Sequence, residues 1–75
     1  MSPDKLVYMA NQISKFFASQ GEDKAVPLIA DHLLKFWDPR MRKALIAYQR
    51  DNGAGLDPLA LQAVATLTVR SEPAL

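Results

Sequence analysis

A chain of 75 residues with one histidine and no cysteine excludes disulfides, thiolate zinc sites and cysteine-ligated iron–sulfur clusters, and it leaves a His-rich metal site without donors. Its apolar share of 49% is that of a globular protein, and a net charge of +1 is too balanced for whole-molecule attraction to nucleic acid or an anionic membrane. Chains this short bury only about 60% of their unfolded surface, so association with another chain is the remaining source of added stability.

The first element is expected over residues 3–20. Ser2-Pro3 supplies an N-cap followed by proline at the first helical position, where a missing N–H costs nothing. Met1 can reach Leu6 across the cap as an apolar staple. Leu6, Met9, Ala10, Ile13, Phe16 and Phe17 form a stripe at helical spacing, with Tyr8, Asn11, Gln12 and Lys15 opposite. Gly21 marks the stop.

A second helix is expected over 24–36, with Pro27 in its first turn. Ala25, Ile29, His32 and Phe36 fall together, flanked by Val26, Leu33 and Trp37, while Leu34 points away. Asp38-Pro39 caps a third helix over 39–52, turning Met41, Ala44, Leu45 and Tyr48 inward. Arg42, Lys43 and Arg50 surround an outward Ile46. Gly53 ends it, and Asp57-Pro58 opens a fourth helix over 58–70, with Leu56 and Leu61 as its staple. Ala60, Leu61, Val64 and Leu67 face the core there, and Leu59 and Val69 diverge. Strand signals are missing. The expectation is an all-α fold: a small four-helix bundle-like domain over 1–70 with short turns, and a frayed tail over 71–75.

No apolar run approaches the ~20 residues that span a bilayer, and the opening residues lack a signal-peptide layout. A soluble, cytoplasmic protein without membrane attachment is therefore expected.

Chemistry is sparse. His32 lies in an apolar stripe and is expected as a packed or hydrogen-bonded side chain, with an interface contact as the second reading. Catalysis would need an orienting partner and a pocket. No Ser/His/Asp set, P-loop or dinucleotide fingerprint appears. Asn52-Gly53-Ala54-Gly55 precedes a helix as anion-binding loops do, but the Asp57 carboxylate at the cap would repel phosphate, so a turn is expected.

The stretch Phe36-Trp37-Asp38-Pro39-Arg40-Met41-Arg42 stands out. Tryptophan and arginine are frequent interface anchors. Phe36 is expected in the core and Trp37 either in the core or at an interface. Arg42 could lie over the Trp37 ring.

That stretch also carries a resemblance. Met9-Ala10-Asn11-Gln12-Ile13 with Phe16-Phe17, then Ile29-Ala30-Asp31-His32-Leu33 running into Phe36 to Arg42, then Gly55-Leu56-Asp57-Pro58-Leu59, resemble the delta subunit of NAD-dependent, molybdenum-containing formate dehydrogenases. The matches run in order over about residues 6 to 70. Tyr8 stands where that pattern would have a basic residue, and Ser14 where it would have alanine. The resemblance implies a non-catalytic accessory subunit supporting assembly or stability of the complex. Molybdenum cofactor, iron–sulfur clusters, flavin and NAD would belong to the catalytic and diaphorase subunits, its implied partners, and this chain would hold no cofactor. His32, Trp37, Arg40 and Arg42 are carried over as the expected interface, and Ile46 joins them as outward apolar surface.

The physical basis for docking is surplus apolar surface, expected at Leu34, Ile46, Leu59 and Val69 beside the aromatic–arginine corner. The same patches could pair two copies as a homodimer in isolation. The alternatives are a general helical adaptor or a nucleic-acid-binding module using Arg40, Arg42, Lys43 and Arg50. Balanced net charge and Ile46 among the basic residues argue against nucleic acid.

Overall fold

The computed structural model describes residues 2–71, the last four by their backbone alone. It is a small all-α domain of four helices: α1 (Pro3–Ala18), α2 (Glu22–Phe36), α3 (Pro39–Asp51) and α4 (Pro58–Ser71). The staple from Met1, the direction of Val69 and the tail beyond Ser71 lie outside the described residues.

The three polar–proline starts work as the sequence implies. Ser2 Oγ accepts weakly from Lys5 N at 3.4 Å, Asp38 Oδ1 from Met41 N at 2.8 Å and Asp57 Oδ1 from Ala60 N at 2.8 Å. Each side chain satisfies one N–H that the helix leaves unpaired. Helix α2 starts differently. Gly21, at φ +93°, has no capping side chain, and the helix begins at Glu22, two residues before the expected start. Pro27 therefore lies inside the helix rather than in its first turn. It is exposed there, where water can reach the carbonyl its ring leaves without a donor.

Helix α2 makes its most extensive packing against α4, and α1 packs on α2, α3 and α4. The fully enclosed side chains are Ile29, Leu33, Leu45, Val64 and Leu67, with Ser14 among them. Alanines at 10, 25, 30, 60 and 63 are completely buried and let the helices approach closely.

Three apolar stripes are rotated from their expected positions. In α1 the buried face is Leu6, Val7, Ala10 and Ser14, which leaves Phe16 76% exposed. In α2 it is Ala25, Ile29, Ala30 and Leu33, continued by Trp37. In α3 it is Leu45 and Ile46, and Ala44 is exposed. Ile46, expected outward, is only 7% exposed, and Leu34 and Leu59 are partly buried against the core. Phe36, expected in the core, stands out at 73% exposure, and Trp37 takes the core alternative of its two readings at 6%. The backbone explains why Trp37 and not Phe36 is enclosed. Trp37 leaves the helix in an extended conformation at the C-cap, which redirects its ring under the corner while Phe36 keeps the helical direction.

Candidate docking surface

Two polar clusters hold the helices in this rotational setting. The first joins α1 to the start of α4. Asn11 Nδ2 donates to the Gly55 carbonyl at 2.8 Å, and Asn11 Oδ1 accepts from Asp57 N at 3.0 Å. One turn on, Ser14 Oγ donates to Asp57 Oδ1 at 2.7 Å, so that carboxylate oxygen serves both the cap and α1. Tyr48 Oη closes the loop from α3 by donating to the Ala54 carbonyl at 2.8 Å. Gly53 is favoured as glycine: its φ is +69°, and a Cβ there would stand 2.7 Å from Leu61 Cδ2, which would have to shift. The glycine-rich loop is thus a turn whose polar groups are used internally.

The second cluster is at the corner between α2 and α3. Arg42 Nη1 donates to the Leu34 carbonyl at 3.3 Å and to the Trp37 carbonyl, the latter closely. These oxygens lie in the last turn of α2 and just past it, where carbonyls lack intrahelical donors and the helix dipole favours a cation. Arg42 is therefore a C-terminal clamp on α2 rather than a plate over the Trp37 ring.

With the helices so set, aromatic side chains emerge together on one surface. Phe16 and Phe17 meet edge to face at 5.0 Å between centroids. Phe17 and His32 follow at 6.3 Å, and His32 and Phe36 at 4.7 Å. The row crosses from α1 to α2, with Phe17 and His32 half-buried and Phe16 and Phe36 at its exposed ends. Rings at these separations gain from edge and offset contact. Phenylalanines three-quarters exposed at both ends of a ring row are an unusual use of surface in so small a chain. Tyr8 is also 64% exposed on α1.

The residues expected at an interface thus divide. His32 is inside the aromatic row and Arg40 is exposed at the start of α3. Trp37 and Ile46 are buried and Arg42 is turned inward, so none of these three is presented as an outward anchor. Phe16 and Phe36, expected in the apolar stripes, are instead exposed. Their signal was a position at the edge of a broad apolar arc, which periodicity alone does not separate from core.

The chain has no cysteine, and among the described residues no group of three or more His, Asp or Glu side chains is placed to hold a metal ion. Without cysteine the chain has no thiolate to offer an iron–sulfur cluster. Among the described residues, no helix is long and apolar enough to cross a membrane.

No curated protein and no solved structure matches the chain. Residues 5–64 match the family model described as "NADH-dependant formate dehydrogenase delta subunit FdsD". That span contains all of α2 and α3, the Arg42 clamp and the whole aromatic row, and the chain belongs to this delta-subunit family.

Proposed function

We propose that this protein is a non-catalytic accessory subunit that supports assembly or stability of a soluble, cytoplasmic formate dehydrogenase, and that it docks through the aromatic row. One observation carries the reading: Phe16 and Phe36, 76% and 73% exposed, end a contiguous ring row that the four helices leave uncovered. Covering such rings contributes about 1.5–3 kcal/mol each. Family membership supports a formate dehydrogenase complex as the partner; in this reading the contacts are with its catalytic and diaphorase subunits, which would hold the molybdenum cofactor, iron–sulfur clusters, flavin and NAD. The absence of cysteine agrees with those clusters residing elsewhere.

In this reading His32 contacts the partner within the row and Arg40 at its edge. Trp37, Ile46 and Arg42 act from beneath by fixing the corner that presents Phe36. Residues 1–70 behave as one helical unit. Without its partner the same row can pair two copies, and a weak homodimer is the expected form in isolation.

The test is co-expression of the whole complex with Phe16→Ser and Phe36→Ser combined in this chain. Both rings are exposed, so the variant folds like the parent by circular dichroism. It is lost from the purified complex, and the yield of cofactor-loaded enzyme falls. Retention of the folded variant at full stoichiometry would remove the reading.

A further inference from the structure

His32 is the single titratable group in the aromatic row, and the chain has no other histidine. Its ring is half-buried, 4.7 Å from Phe36 at a tilt of 38° and 6.3 Å from Phe17 edge to face. Among the described residues no hydrogen bond or ion pair engages either ring nitrogen. The charged groups of the packed elements offer it no free carboxylate. On α2 itself, Asp31 is the preceding residue, lies on a different side of the helix and is itself engaged, whereas Lys35 is one turn on and on the same side. Glu22, Asp23 and Lys24 are two to three turns back. On α1, Lys15 is two positions from Phe17 and falls on another side, and Asp4 and Lys5 are about 18 Å of helix away. The described side chains of α4, over 58–67, carry no charge, and Arg42 of α3 is committed to the Leu34 and Trp37 carbonyls.

We infer that docking is gated by pH through His32: the covered row accepts the neutral imidazole, and protonation of that ring releases the subunit. This rests on the docking reading above and adds its regulation. In the free chain water reaches the open edge of the ring and can solvate a charge there. A partner laid across Phe16 and Phe36 removes that water, and a charge without a counter-ion then loses its solvation. The attraction of Phe17 and Phe36 for an imidazolium does not offset the loss, because both rings already flank His32 before docking. Lys35, a turn away, adds repulsion. Docking therefore selects the neutral ring, and a protonated chain must give up a proton to solvent in order to dock. By linkage the affinity is full above the range in which histidine changes charge and falls as pH drops through it.

The test titrates the full-length chain onto purified formate dehydrogenase complex prepared without it, at pH 7.5 and 5.5 and constant ionic strength. The parent Kd is expected to rise about tenfold at the lower pH. His32→Gln and His32→Phe hold a neutral side chain at both pH values, and their Kd should change by no more than about twofold. A tenfold loss retained in both variants would place the response on the partner and overturn the inference, as would a parent Kd that does not move. Tighter binding of the parent at pH 5.5, absent from the variants, would mean a charged ring set against a partner carboxylate, and overturns it too. So would failure of both variants to bind at pH 7.5. In each of these cases docking stands if Phe16→Ser with Phe36→Ser weakens binding at pH 7.5. If the parent itself does not bind at pH 7.5, or the phenylalanine pair is without effect, the docking reading fails and the inference with it.

Discussion

The shared carboxylate of Asp57 offers a quantitative check on how α1 and α4 are joined. Asp57→Ala removes the cap bond to Ala60 N, which costs about 1 kcal/mol. It also strands the Ser14 hydroxyl, which is 1% exposed and has Asp57 as its acceptor, at about 1–2 kcal/mol for an unsatisfied buried group. The sum is about 2–3 kcal/mol, or roughly 10–20 °C in Tm for a domain of this size. Ser14→Ala alone removes the donor but leaves the carboxylate its cap bond, and costs about 1 kcal/mol. In the double variant no hydroxyl is stranded, so its loss should not exceed that of Asp57→Ala. A coupling of about 1 kcal/mol is expected from a double-mutant cycle by urea denaturation followed by circular dichroism. Strict additivity would refute the reasoning, because it would mean that the two side chains do not share one bond.

The corner and the loop give further expectations. Trp37→Ala should cost about 3–5 kcal/mol and largely unfold the chain, whereas Phe36→Ala at the preceding position should change stability by less than about 0.5 kcal/mol; equal losses by thermal melting would contradict the assignment of Trp37 to the core and Phe36 to the surface. Arg42→Met keeps much of the stem but leaves the last carbonyls of α2 without their clamp, for an expected loss of about 1–2 kcal/mol in chemical denaturation. Gly53→Ala meets both a positive φ and the Leu61 methyl. Adding Leu61→Ala to it relieves the clash alone, so melting should show no full recovery.

Element starts were legible because capping chemistry is local. Ser2, Asp38 and Asp57 sit before prolines, and an N-cap needs only a side-chain oxygen three residues from an N–H. The start of α2 was not, because Gly21 carries no side chain to announce a cap. Rotational setting was harder. In α1, α2 and α3 the apolar arcs are broad enough to accept more than one orientation, and what decides among them acts over long range. Asn11 and Ser14 turn α1 toward a loop more than 40 residues away, and Arg42 turns α3 toward α2. Periodicity counts apolar residues and is blind to a serine or an arginine that belongs inside. The same blindness hid the exposed aromatic row: once α1 turns toward Ser14, Phe16 is carried out into solvent.

The buried side of α4 is built from Ala60, Ala63, Val64 and Leu67, a smooth surface with little relief to index it against α2. Such a helix could slide or swivel against its neighbours at small cost in packing. Asn11, Ser14 and Tyr48 grip the chain just ahead of it by directional bonds that tolerate no slippage. Severing them should therefore blur the molecule as well as weaken it, giving broadened methyl resonances from α4 while helical content persists.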